Sequence, residues 1–431
     1  MATRQENQRL PYGVGRIGMG AAVTLVIALG LVIFGLVGYS RQLSEGEIVT
    51  GLGDLGTRGG VPWGLYIAFE MWAVGMGFGA MILIGVIRLA GDRSSRMLVR
   101  ALAVFAMSAL FVGGWSIIAD VGQPLRAIVN IMRYARPMSP FFGTFTIGLV
   151  AAYSAIIVYL YLDIRRDAAL MAKRGGAWSG IPRLLAAGYK DTEAERERHR
   201  RVSRVLAVVL ILIGIMAAST SGFVFGVQQG RPGWVGALQA PASVGLAAVT
   251  GIAIAVVLAG ILRSTLSNRD RISDQLFLWL NRLLLVLSLL AVYFIVVEIL
   301  TAGYEARETA TNVRDAIVTG QYAWMFWLSN ALFALGAIIA LGQAVMKRAT
   351  VSMTVLAAVA IMAAALLKRY LLVVPPLTEG RLLPYAAGSY TPTWVEYAVV
   401  IGLVALGIGF FVIVSKILPV IEISGTEEGG D

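Results

Sequence analysis

The chain has 431 residues, of which 58% are hydrophobic and only 14% charged, and its mean hydropathy is +0.77. A water-soluble protein of this length has no core large enough to hide so much apolar surface, so lipid must be its main solvent. The net charge of +11 does not mark a nucleic-acid binder, because most basic residues fall in short segments between apolar runs, where they orient a membrane protein.

Apolar runs of spanning length occur at about ten places: 17–39, 62–87, 97–119, 141–162, 205–225, 242–262, 276–300, 323–345, 351–374 and 394–414. Each is close to the roughly 20 residues that cross a ~30 Å hydrocarbon core. A barrel would show short alternating segments instead, so the expected fold is an all-α integral membrane protein with about ten transmembrane helices. The first run is too long for the apolar part of a cleavable signal and is expected to stay as a span.

Between the first two runs lies "GLGDLG", where Gly51, Gly53 and Gly56 satisfy G-x-G-x-x-G. A dinucleotide site needs a strand before these glycines and a βαβ unit around them. Spanning runs flank them here, so they read as a flexible loop leading into the second helix, with Pro62 in its first turn.

Loop charge sets the expected orientation. One set of connections is basic: Arg88, Arg93, Arg96 and Arg100 against Asp92; Arg263, Arg269 and Arg271 against Asp270 and Asp274; Lys347 with Arg348; and the arginine-rich linker 163–204. The alternate connections are neutral or acidic, as with Arg41 and Arg58 against Glu45, Glu47 and Asp54. The positive-inside rule therefore puts the tails 1–16 and 415–431 in the cytoplasm. The segment 120–140 breaks the pattern, facing outward with Arg126, Arg133 and Arg136.

Ionisable residues inside a span are expensive and default to a functional reading. Glu70 lies about 12 Å into the second run at 1.5 Å per residue. Asp120 ends the third, Glu298 is near the outer end of the seventh, and Lys368 and Arg369 lie within about 9 Å of the outer end of the ninth. Glu396 opens the tenth and is expected at the membrane surface. All six fall in the outer half. The inner half looks sparse, with Asn281, Arg282, Ser329, Asn330 and a snorkelling Arg88. Trp63, Tyr66 and Glu70 recur at i, i+3 and i+7, so one helical face would carry aromatics beside a carboxylate, a wall that suits a flat amphipathic ligand. Gly75 and Gly79 form a G-x-x-x-G expected to pack helices.

The absences matter as well. There is no cysteine, and the lone histidine, His199, reads as a solvated loop residue in a charged stretch. No haem, iron–sulfur cluster or thiolate metal site is expected on this chain.

At "GVPWGLYIAFEMWAVGMGFGA", "ADVGQPLR…RPMSPFFG", "SGFVFGVQQGRPGW" and "LLPYAAGSYTPTWVEYAVVIG" the sequence resembles the NrfD/PsrC family of quinone-reactive membrane subunits, which includes those of polysulfide reductase, alternative complex III and DsrP-type complexes. The resemblance implies two four-helix bundles, at 62–225 and 242–374, flanked by helices at 17–39 and 394–414. It implies a quinone (menaquinone or ubiquinone) as substrate and no haem, cluster or metal on this chain. The pocket would lie near the outer face, with an iron–sulfur ferredoxin-like subunit docked there. A further catalytic subunit would complete the complex: a molybdenum enzyme, a multihaem cytochrome c or a sulfur-metabolism protein. The setting is the inner or plasma membrane of a prokaryote.

Carried onto this sequence, the family's motifs mark Pro62, Trp63 and Tyr66, with Glu70 at the acidic position. Asp120, Gly122 and Pro124 match the loop after the third helix, but Gln123 stands where the family commonly has arginine, so Arg126 or Arg136 are candidates to substitute. Ser139–Pro140 and Gly230–Pro232 also match. The proton relay is thereby assigned to Asp120 and Glu70. The quinone pocket and partner-facing loop are assigned to Trp63, Tyr66, Gln123, Arg126, Arg136, Ser139, Phe225 and Arg231. Glu298, Lys368 and Arg369 form secondary polar sites. The alternative reading is a secondary transporter or proton-translocating module, and a third is a purely structural anchor.

Overall fold

A computed structural model describes residues 14, 17–53, 61–90, 93–134, 136, 138–174, 180–265, 272–304, 308–379 and 389–420. Asp54, Gly56 and Arg58 of the expected outer loop, Asp92, Arg269, Asp270 and Arg271 of the basic connections, and the C-terminal tail from 421 lie outside the described residues, as does most of the N-terminal tail.

The described residues are helical, without strands. The helices are α1 Met19–Glu45, α2 Leu65–Ala90, α3 Val99–Asp120, α4 Pro124–Tyr134, α5 Thr146–Arg174, α6 Gly180–Ala186, α7 Glu193–Gly226, α8 Gln239–Thr265, α9 Asp274–Tyr304, α10 Glu308–Val318, α11 Ala323–Val345, α12 Val351–Val373 and α13 Trp394–Ile417. Ten of them are long and apolar enough to cross a membrane: α1, α2, α3, α5, α7, α8, α9, α11, α12 and α13.

Helices α2, α3, α5 and α7 pack as one four-helix bundle, and α8, α9, α11 and α12 as a second. The α1–α13 pair flanks them, and α2 joins the bundles by packing against both α8 and α12. Burial follows this plan. The central windows of α2 and α8 are mostly enclosed, whereas α1 is apolar all round and exposes nearly all of its window, as a helix facing lipid can.

The α2–α8 crossing is close because Gly79 meets Gly251. A Cβ added at Gly79 would collide with the Ala247 carbonyl and lie 2.9 Å from the Gly251 Cα. Small residues permit such backbone approach where apolar burial gives no net drive between helices in lipid. Gly75 behaves differently: a Cβ there would face Arg369 Nη2 at 3.8 Å. One glycine of the G-x-x-x-G packs a helix, and the other leaves room for a guanidinium.

Four expectations are corrected at the bundle end opposite Glu70. Helix α5 runs on to Arg174 and α7 begins at Glu193, so much of the 163–204 linker is helical. The half expected to be sparse holds a buried ion network. Arg100 donates to Asp163 at 2.7 Å and to Asp167 at 2.5 Å, and Arg88 pairs with Asp163 and donates to the Tyr159 hydroxyl at 2.8 Å. Arg88 therefore does not snorkel. His199 sits half-buried on α7, edge-on to the Tyr189 ring at 6.4 Å, rather than in a loop. Helix α7 can start so early because Thr192 and Glu195 form a reciprocal capping box, satisfying two backbone donors that a helix start leaves open.

Candidate functional site

The carboxylates cluster where α1 and α3 end and where α2 and α13 begin. Helix α2 starts at Leu65, so Pro62 and Trp63 precede it rather than occupying its first turn. Its first backbone donor, Leu65 N–H, is satisfied from far away in sequence, by the Tyr390 hydroxyl at 2.6 Å. Tyr390 in turn donates to Glu396. The approach requires glycine: a Cβ at Gly64 would strike the Tyr390 ring.

Glu396, in the first turn of α13, is wholly covered by the protein. It closes a capping box with Thr393 at the start of α13 and accepts the Gly51 N–H at 2.6 Å. Gly51 is where the apparent nucleotide fingerprint begins. A Cβ there would lie 2.8 Å from the Tyr390 ring, so close packing explains this glycine. Burial drives the Tyr390 phenol far above its ordinary value, and the neighbouring Glu396 adds to the shift. Tyr390 therefore stays a donor.

A second chain of bonds starts at Tyr66. Its hydroxyl donates to Gln42 Oε1 at 2.7 Å, and Gln42 Nε2 donates to the Glu47 carboxylate at 3.0 Å and to the Ala119 carbonyl at 2.7 Å. Gln42 thus ties α1 to α2 and to the end of α3. Glu47 lies against the backbone at Gly122, where an added Cβ would approach its Oε1 to 3.2 Å. Burial pushes the Glu47 carboxyl above its ordinary value. Bonds from Gln42 and Thr50 pull it down, and Glu396 pushes it up again.

Glu70 and Asp120 stand apart. Glu70 is 3% exposed, and its Oε1 is buried without a hydrogen-bond partner, as is Asp120 Oδ1. Arg369, on α12 of the second bundle, acts electrostatically on Glu70 but donates to Ser243 Oγ at 3.0 Å. Glu47, Glu396 and Glu70 all act on Asp120. Leaving a buried polar atom unpaired costs about 1–3 kcal/mol. Such an oxygen is therefore a candidate to serve a ligand or a proton.

Trp63, Phe225 and Trp234 form an aromatic trio in the same apolar cluster as Tyr66 and Ala119, the residue before Asp120. Trp63 stacks on Trp234 with ring centroids 5.5 Å apart, and Phe225 meets them edge-on at 5.7 and 5.0 Å. Trp234 Nε1 donates to the Leu372 carbonyl at 2.7 Å, which fixes the trio against α12. The shared helical face expected for Trp63, Tyr66 and Glu70 is modified, since Trp63 is off the helix; Trp63 and Tyr66 still belong to one apolar cluster.

The remaining expected residues are dispersed. Gln123, Arg126 and Arg136 are exposed, and Ser139 and Arg231 are half-buried. Glu298 pairs with Lys368, in the second bundle. Sequence reasoning missed Gln42, Glu47, Tyr390 and Trp234. Gln42 carried little signal, because Ser40, Arg41, Ser44 and Glu45 make the last turn and a half of its helix mostly polar. Among the described residues no group of three or more His, Cys, Asp or Glu side chains is arranged to hold a metal ion.

Residues 53–378 match the family model described as "Polysulphide reductase, NrfD". Three relatives align along most of both chains. A Halobacterium salinarum protein provisionally named as a membrane subunit of dimethyl sulfoxide reductase is 26% identical, covering 91% of this chain and 89% of its own. A selenate reductase subunit of Mesobacillus selenatarsenatis is 22% identical, over 90% and 92%. The Hdr-like menaquinol oxidoreductase integral membrane subunit of Archaeoglobus fulgidus is 23% identical, over 88% and 89%.

Proposed function

The chain belongs to the NrfD, or polysulphide reductase, family, and from that premise we propose that it is the quinone-interacting membrane subunit of a multi-subunit respiratory oxidoreductase. It exchanges electrons between the quinone pool and an iron–sulfur ferredoxin-like partner docked at the Glu70 end, in the inner or plasma membrane of a prokaryote. A further catalytic subunit draws on that partner. The relatives' names support this reading: two are reductase subunits and one a menaquinol oxidoreductase subunit.

The observation that carries the proposal is the pair of unpartnered buried oxygens, Glu70 Oε1 and Asp120 Oδ1. Quinone reduction takes up two electrons and two protons, and quinol oxidation releases them. The electrons pass to or from the partner's clusters. The protons need acceptors and donors inside an apolar wall, a task for carboxyl groups. Glu70 holds one proton at Oε1 and Asp120 another at Oδ1, while Arg369 offsets negative charge left on Glu70. The Trp63, Phe225 and Trp234 rings and Tyr66 provide the flat wall. Gln123, Arg126 and Arg136, being exposed, belong to the partner-facing surface, with Ser139 and Arg231 at its edge.

Quinone-analogue binding and turnover by the assembled complex in Glu70→Gln and Asp120→Asn test the reading, and undiminished values in both variants would refute it. A proton-translocating module is the alternative. The buried ion network at the Arg100 end supplies charge there, which favours it, but Asp163 and Asp167 are ion-paired whereas Glu70 Oε1 is not. Proteoliposome uptake without any redox partner would select that alternative.

A further inference from the structure

A lateral cavity of about 1240 Å³ opens between α8 and the α1–α13 pair, floored by α2 and α3. None of Glu47, Glu70, Asp120 and Glu396 lines it. Phe69 and Trp72 of α2 close one end, Phe105 and Ile254 line the middle, and Lys416 lies at the other end near Thr265. From Val404 to Lys416 on α13 is twelve residues, or about 18 Å at the helical rise. That is close to the ~15 Å of hydrocarbon in one leaflet.

The polar groups along this groove are satisfied within the protein. Ser108 Oγ donates to the Gly407 carbonyl at 2.9 Å, Trp72 Nε1 to the Met362 carbonyl at 2.9 Å, and Thr24 Oγ1 to the Gly20 carbonyl at 2.9 Å. Thr265 and Ser415 bond carbonyls of their own helices. The walls therefore offer nothing to a polar ligand. The one charged side chain on the lining is Lys416, for which no ion-pair partner occurs among the described residues. A void of this size cannot stay empty. Left unfilled, its walls would forfeit packing contacts along their whole length.

We infer that this groove is a binding site for a diacyl phospholipid from the leaflet at the Lys416 end, its acyl chains lying along α2, α3, α8 and α13 and its phosphate meeting Lys416. An apolar chain satisfies the walls and the length, and the terminal cation selects an acidic headgroup rather than a neutral one. The lipid fills the space between the flanking pair and α8. The inference is independent of the quinone reading, because the groove's charged end is opposite Glu70.

Native mass spectrometry of the purified protein, released from detergent with its endogenous lipid, tests this directly. Wild type should retain one phospholipid per chain. Filling the groove by Ala109→Phe, or at its mouth by Ala21→Trp, should abolish retention, and Lys416→Gln should weaken it about tenfold, as for loss of one charge-assisted hydrogen bond. Ala21 is on the outer pair, so Ala21→Trp keeps the test valid if Ala109→Phe fails to fold. Binding of a short-tailed quinone analogue, measured on the same samples, should be unchanged. Equal lipid retention in wild type and both filled variants would overturn the inference. So would retention of a quinone in place of the phospholipid, which would make the groove an isoprenoid-tail channel.

Discussion

The Tyr66 hydroxyl donates to Gln42 at 2.7 Å, and this one bond links the second spanning helix to the end of the first. Gln42 passes the connection on to Glu47 and to the Ala119 carbonyl, so three helix ends are held in register around Asp120. Tyr66→Phe loosens that register and should lower quinone turnover by roughly tenfold or more, since a ~1 Å misplacement of groups around the reacting centre costs up to about 10²-fold. Its cost in stability should be only about 1 kcal/mol, the net worth of one hydrogen bond. Steady-state turnover and thermal unfolding on the same preparation separate the two. A loss of stability with unchanged turnover would make the bond merely structural.

The apolar runs, the helix count and a carboxylate buried at Glu70 were legible in the sequence, because a bilayer imposes length and apolarity locally on each span. The partners of Glu396 were not. Gly51 lies 345 positions away, and no periodicity reveals that a glutamate three residues after a threonine will reach beyond its own cap. The ion network at the Arg100 end was hidden for a related reason. Arg88 and Arg100 read as loop cations, and Asp163 and Asp167 read as the start of a linker; only the packing of α5 against α2 and α3 makes them pairs. The glycine fingerprint could be set aside from sequence, but the reason for Gly51 could not be read there, because its close packing is against Tyr390, far along the chain.

Gly64→Ala should be destabilising, because the added methyl would strike the Tyr390 ring; overpacking of this kind costs about 1–3 kcal/mol. Tyr390→Phe removes the hydroxyl that Leu65 N–H and one Glu396 oxygen share, leaving both without it, and should cost a similar amount. Thermal unfolding in detergent reads both. The double variant Gly64→Ala with Tyr390→Phe should recover little, since the ring remains.

Asp167→Ala leaves the Arg100 guanidinium, on a residue 1% exposed, short of its partner at 2.5 Å. Breaking a buried pair by removing one member costs about 3–5 kcal/mol, so this variant should lose more thermal stability than Gly64→Ala, Tyr390→Phe or Tyr66→Phe. A fall no larger than that of Tyr66→Phe would show the network to be dispensable.

Glu47 makes a pH-dependent prediction. Burial raises its carboxyl above the ordinary value of 4.5. A carboxyl raised by folding contributes stability below its ordinary value and loses it as pH rises through the folded value. Glu47→Gln removes that loss. Its thermal stability relative to wild type should therefore improve as pH is taken upward from about 4, the ordinary glutamate range. A difference that stays flat or moves the other way would contradict the shift.

The central claim is that a quinone binds against the trio and the two open carboxyls. Photolabelling of the assembled complex with an azido-quinone, followed by peptide mapping, tests it most directly. The account predicts labelling within residues 61–70 and 224–234, reduced by Glu70→Gln. Labelling confined to the second bundle, around Glu298 and Lys368, would contradict it.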